Sequence, residues 1–253
     1  MIQIDKKSVG EISILNVVQT EKINEKLPTV IYYHGFNGEK ESSLTLAYKI
    51  AKKGFRVILP DSILHGERGN GTSQNERDLA FWNIVMQNIS ELQLIKDYLE
   101  REGLTIPDRI GIGGTSMGGI TTYGALKKYR WIKAATVLMG TPQMTAYASI
   151  LLERYNRLNE RKITEEEAKQ TLTKLEPYDL SFDSEKLESR PLLIWHGEKD
   201  AIVPLKHSET FYNKIENEYE DKEKLKLIIE KDRIHNITRL SMEGTADWFN
   251  QHL

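Results

Sequence analysis

The sequence predicts an α/β fold, a mostly parallel central sheet with helices on both faces. Two observations carry that reading. Short β-branched runs alternate with amphipathic helical patterns along most of the 253 residues, as expected of strands joined by crossover helices. The strand-like runs also end in glycine-rich or polar loops, and open parallel sheets gather their functional groups at that carboxyl edge.

Strands are expected near Ile12–Val18, Thr29–Tyr33, Arg56–Leu59, Arg109–Gly113, Ala134–Met139, Leu192–Trp195 and Leu225–Ile229. The clearest helix runs from about Glu76 to Arg101, where Phe81, Val85, Ile89, Leu92, Ile95 and Leu99 recur at three- and four-residue steps and form one apolar stripe. Further helices are expected to start near Ser42, Met117, Leu205 and Thr238. From Pro142 to Arg190 the alternation stops, and the sequence is charged and amphipathic. Within it Thr164–Glu167 has the spacing of a capping box, which opens a helix of roughly ten residues. With no repeat and no low-complexity linker, one domain over residues 1–253 with a helical insertion at 142–190 is expected. The insertion reads as a lid over the carboxyl edge, with a plain surface excursion as the alternative.

Composition narrows the function. The formal net charge is −2 and there are no cysteines. Disulfides, thiolate zinc sites and a cysteine nucleophile are thereby excluded. The charge balance argues against nucleic acid as a partner. No apolar run approaches the ~18 residues of a membrane span, and Met1–Lys7 lacks the apolar core of a signal peptide. A soluble cytoplasmic protein with no membrane partner is the expectation.

The most informative stretch is Arg109–Gly119, where a β-type run enters Gly114-Thr115-Ser116-Met117-Gly118 and a helical pattern follows. This is the G-x-S-x-G pattern in its strand–turn–helix setting, in which the turn lifts a serine clear of the sheet. Ser116 is therefore the candidate nucleophile, and an ordinary helix N-cap is the bland alternative. A dinucleotide loop would need glycine at 116, and a phosphate-binding P-loop would need a preceding lysine. A serine hydroxyl needs a base, and the base needs an acid to hold it. Downstream, Pro191–Gly197 reads as a buried strand that opens into Glu198–Pro204, and Glu230–Asn236 forms a polar loop before the last helix. The order is thus Ser116, Asp200, His235. Glu198 and Asp232 are the rivals for the acid. Of six histidines, His235 alone follows the acid in a loop after the last strand.

These residues resemble the α/β-hydrolases, and more narrowly the serine esterases related to prolyl oligopeptidase and dienelactone hydrolase. Tyr33-His34-Gly35-Phe36 is similar to the family's strand-end turn, Gly114–Gly118 to its nucleophile elbow, and His196–Pro204 to its acid loop in the form H-G-x-x-D-x-x-V-P. Two departures stand out: no glycine precedes His235, and the dienelactone members use cysteine where this chain has Ser116. The resemblance implies an α/β-hydrolase fold and a carboxylesterase acting on small or medium acyl esters without metal or cofactor. A peptidase or amide hydrolase, or a non-catalytic small-molecule-binding protein of the same fold, are the alternatives. The backbone N–H groups of Met117 and Phe36 are expected to form the oxyanion hole. His34, His65, Arg68, Trp82 and Tyr147 are candidates for the substrate pocket. Arg68 reads first as half of a loop salt bridge, and Trp82 first as core, with the pocket as the second reading of each.

Overall fold

The computed structural model describes residues 1–158, 160 and 162–253. Its strands are β1 (Ile2–Val9), β2 (Ile12–Gln19), β3 (Leu27–Tyr33), β4 (Arg56–Pro60), β5 (Thr105–Thr115), β6 (Ala134–Leu138), β7 (Leu192–Gly197) and β8 (Leu225–Glu230). They form one sheet in the order β1-β2-β4-β3-β5-β6-β7-β8. Strands β4, β3 and β5 to β8 run parallel, while β2 pairs antiparallel with both β1 and β4. The chain goes from β3 to β4 on one side and then to β5 on the other. This reversal opens a crevice at the carboxyl ends of β3 and β5, where open α/β sheets place their sites.

The helices are α1 (Leu44–Ala51), α2 (Gln74–Arg101), α3 (Met117–Lys128), α4 (Met144–Leu158), α5 (Glu165–Leu175), α6 (Leu205–Ile215) and α7 (Arg239–His252). On one face Leu46 and Ile50 of α1 and Phe249 of α7 pack with Val30, Val57 and Leu59. On the other, Leu92 and Ile95 of α2, Leu126 of α3 and Phe211 of α6 cover Ile31, Ile112 and Ile194. Strands covered on both faces must be apolar throughout, which explains the unbroken burial of β4, β6 and β7.

Helix α2 begins at Gln74, two residues before the expected Glu76. Ser73 caps it, accepting from the Glu76 N–H, while the Glu76 carboxylate accepts from the Ser73 N–H. Thr164 and Glu167 form the same reciprocal cap at the start of α5. Residues 142–190 hold α4, α5 and short turns between β6 and β7, and among the described residues they contain no strand. Beneath them lies a third apolar cluster, with Met144, Tyr147 and Leu175 of this segment against Trp82, Val85, Met117 and Ile120. Among the described residues no helix is long and apolar enough to cross a membrane.

Candidate active site

Ser116 stands at the turn between β5 and α3 with φ 54° and ψ −112°. A side chain held in this sparsely populated conformation is strained, and the surroundings must fix it. Its N–H donates to the Leu138 carbonyl at 2.8 Å and its own carbonyl accepts from the Ile120 N–H at 2.9 Å. Glycine is needed on either side for space. A β-carbon on Gly114 would lie 2.7 Å from the Gly118 Cα, and one on Gly118 would lie 2.9 Å from the His34 carbonyl oxygen. The elbow pattern thus has a steric cause, since β5, α3 and the end of β3 converge there.

Three side chains that are far apart in sequence meet at this turn. The Ser116 hydroxyl lies 2.8 Å from Nε2 of His235, whose Nδ1 lies 2.6 Å from Oδ2 of Asp200. The Nδ1–H donates to the carboxylate, which leaves Nε2 free to accept from the serine. The Asp200 side chain is fully buried, and its Oδ1 accepts from the Ile202 and Val203 N–H groups at 2.9 and 3.0 Å. Burial works to raise its pKa. Hydrogen bonds from His196 and His235 outweigh that and hold the carboxyl well below its usual range. The rivals point elsewhere: Glu198 accepts from the Asp232 N–H, and Asp232 pairs with Lys199 on the surface.

Met117 is the first residue of α3, so its N–H has no partner within the helix and sits at the positive end of the helix dipole. Phe36, in the loop after β3, lines the same cleft as Ser116. This loop passes directly over the serine, since a β-carbon on Gly35 would stand 3.8 Å from the Ser116 Cβ. Buried polar contacts hold the loop in place. His34 Nε2 accepts from the Ser62 N–H at 3.1 Å and its Nδ1 donates to the Gly35 carbonyl. Burial pushes the His34 pKa down to about 4, so the ring is neutral in this tautomer. Lys40 is buried against Asp61, with Nζ 2.7 Å from Oδ2, and the Lys40 N–H donates to Oδ1.

Ser116 opens into a cleft of about 640 Å³ walled by Phe36, Phe81, Trp82, Ile120, Tyr147 and Leu151. Phe36, Phe81, Trp82 and Tyr147 form a chain of edge-to-face rings with centroids 5.0 to 6.2 Å apart. Burial, with the nearby Asp200 charge, pushes the Tyr147 phenol up to about 12. It is therefore a neutral wall, and its hydroxyl donates to the Ile202 carbonyl at 3.3 Å. Leu79, Leu158 and Ile202 stand exposed around the rim.

Of the five candidate pocket residues, Trp82 and Tyr147 line this cleft, and His34, His65 and Arg68 do not. His34 is occupied in bracing the loop below it. His65 bonds through its ring nitrogens to the Ile63 and Phe36 carbonyls and borders a separate polar hollow. Arg68 forms a bidentate pair with Glu91 of α2 at 2.7 and 2.8 Å, which ties the loop after β4 to that helix. The sequence reading missed Met86, Leu151 and Ile202 in the lining. Met86 lies four residues after Trp82, one helical turn away, and this spacing was the available signal.

The sequence profile of the prolyl oligopeptidase family matches residues 46–253. The chain belongs to that family. It is 41% identical over 258 residues to "Putative esterase YitV" of Bacillus subtilis (strain 168), with both chains covered completely. It is 28% identical over 253 residues, again with complete coverage, to "Esterase YjfP" of Escherichia coli (strain K12). Among solved structures, TT1662 from Thermus thermophilus superposes with a TM-score of 0.78 at 20% identity, covering 99% of this chain and 98% of that one. The family's α/β-hydrolase fold is thus the fold of this chain, as the elbow and acid-loop resemblance implied.

Proposed function

We propose that this chain is a serine carboxylesterase that cleaves small or medium acyl esters through an acyl-enzyme. The observation that carries the reading is the unbroken line Ser116 Oγ, His235 Nε2, His235 Nδ1, Asp200 Oδ2, with links of 2.8 and 2.6 Å. In this reading His235 takes the hydroxyl proton as Ser116 attacks the ester carbonyl, and Asp200 stabilises the imidazolium that forms. The Met117 and Phe36 N–H groups receive the oxyanion, and losing one such donor costs about 2.7–4 kcal/mol of barrier. His235 then protonates the departing alcohol, and water attacks the acyl-serine by the same route in reverse. The aromatic and aliphatic cleft supports an apolar acyl or alcohol group on the substrate. The names of the two curated relatives agree with ester cleavage.

The segment 142–190 serves as a lid within one domain in this reading, because α4 and α5 contribute Tyr147, Leu151 and Thr171 to the cleft wall. The enzyme works on a small molecule in the cytoplasm and needs no cofactor.

The test is labelling with a fluorophosphonate probe together with a p-nitrophenyl acetate, butyrate and octanoate series. Wild type should label and turn over, and Ser116→Ala should do neither. An unlabelled, inactive wild type, or an active Ser116→Ala variant, sinks the reading. The family match favours a second reading as an amide or peptide hydrolase, and aminoacyl-nitroanilide turnover exceeding ester turnover would establish it.

A further inference from the structure

His196 is the last but one residue of β7, fully buried, and lies against Asp200. Its Nε2 lies 3.2 Å from Asp200 Oδ2 and 3.0 Å from the Val203 carbonyl oxygen. Both neighbours are acceptors, so Nε2 must carry the hydrogen. In the neutral ring Nδ1 is then a lone pair, and it meets the Ser208 hydroxyl of α6 at 2.9 Å. Ser208 is also fully buried and donates its proton there, which selects the Nε2–H tautomer. The Nε2–H that donates to the Val203 carbonyl thus also lies 3.2 Å from the carboxylate oxygen that accepts from His235.

We propose that His196 and Ser208 are positioning residues for the reaction: Ser208 sets the His196 tautomer, and His196 orients and partly neutralises the Asp200 oxygen that holds His235. The proposal rests on the serine-hydrolase reading for its kinetic consequence. Its structural content, a second imidazole N–H beside the Asp200 carboxylate, stands apart from activity. The physical argument concerns charge. An Oδ2 that shares its density with His196 pulls less strongly on the His235 proton. Without His196, the carboxylate is less compensated and favours the imidazolium more. The base is then occupied by a proton up to higher pH, and the carboxylate loses the contact that fixes its rotation.

The experiment compares wild type with His196→Leu, His196→Gln and Ser208→Ala, after circular dichroism has verified folding. Two readouts are taken: the pH profile of kcat/KM on p-nitrophenyl butyrate, and the low-field proton resonance of the His235–Asp200 hydrogen bond. His196→Leu should lower kcat by about 10- to 100-fold, the scale of a lost charge-assisted hydrogen bond, with KM little changed. Its acid limb should move to higher pH, and the low-field resonance should shift. His196→Gln keeps an N–H near the Nε2 position and should restore much of both. Ser208→Ala leaves the ring in place but frees its tautomer, so it should shift the resonance by a smaller amount in the same direction. The proposal is overturned if the limb and resonance stay put in folded His196→Leu, or if His196→Gln moves them equally. If His196→Leu does not fold, an unchanged resonance in Ser208→Ala overturns it. A wild type that shows the resonance and its shifts but hydrolyses nothing counts against the hydrolase reading and supports the contact to Asp200.

Discussion

Gly118, in the first turn of α3, lies so close to the end of β3 that an added β-carbon would stand 2.7 Å from the carbonyl carbon of Tyr33. The helix that follows Ser116 and the strand that carries the loop above it are thus in backbone contact. The relative position of the serine and that loop depends on the absence of one methyl group.

Gly118→Ala should therefore damage geometry as well as stability. The neighbour is backbone and cannot rotate away, so α3 must shift from β3, at about 1–3 kcal/mol for overpacking. Ser116 and the Met117 N–H move with it, and kcat on p-nitrophenyl butyrate should fall at least about tenfold, given the sensitivity of such sites to small displacements. Gly244, within α7, is the control, because nothing lies within 4 Å of its β-position. Gly244→Ala should be neutral or stabilise by up to about 1 kcal/mol in urea unfolding. Equal behaviour of the two variants would refute the packing argument.

Much of the site was legible because its parts are local. The elbow is a contiguous pattern with a steric cause, the Asp200 loop follows the buried strand β7, and the His235 loop follows the last strand, β8. What sequence did not show depends on distant partners. Lys40 sits in the charged run Glu39-Lys40-Glu41 and reads as solvated, yet it is buried because Asp61, 21 residues on, waits behind it. Strand β1 was not expected, because it is an edge strand with Lys6 and Lys7 exposed. Such charges protect an edge and also erase the apolar alternation that announces a strand. Helix α4 was read only as amphipathic sequence, for most of it meets solvent or the cleft and few of its positions are buried. His34 was placed in the pocket by its neighbourhood in sequence, but its ring turns inward to Ser62.

The Lys40–Asp61 pair should be a major support of the loop after β3. Replacing Lys40 by methionine leaves a buried carboxylate with backbone donors but no counter-charge. Losing one partner of such a pair costs about 3–5 kcal/mol. The variant should show that loss in urea unfolding. It should also lose esterase activity, because the loop holding Phe36 is no longer anchored. A loss under about 1 kcal/mol would show that water replaces the lysine.

Trp82 should set the length of acyl chain accepted. Its ring stands between Phe81 and Tyr147 in the cleft wall. Trp82→Leu opens space there, and each methylene newly buried is worth about 0.8 kcal/mol, roughly fourfold in kcat/KM. The ratio of octanoate to butyrate turnover should rise severalfold in the variant. An unchanged ratio would place the acyl chain elsewhere in the cleft.

His34 should make the fold acid-sensitive in a window above that of the carboxylates. Burial holds its pKa near 4 in the folded chain, against an ordinary value of 6.5. Between those values the unfolded chain binds a proton that the folded one refuses, so stability rises with pH. The contribution is complete above about pH 6.5 and is lost as pH falls toward 4, amounting to on the order of 3 kcal/mol. His207, whose pKa burial also lowers, acts in the same direction. Asp200 adds a separate loss only below the ordinary carboxylate value of 3.8, where its depressed pKa stops protecting the fold. His34→Gln keeps an acceptor for the Ser62 N–H and cannot titrate. Urea unfolding at half-unit steps from pH 7 to 4 should give a slope for wild type steeper than the variant's by up to about 1.4 kcal/mol per pH unit. Parallel curves would mean that His34 is protonated in the folded protein, and its bond to the Ser62 N–H would have to break.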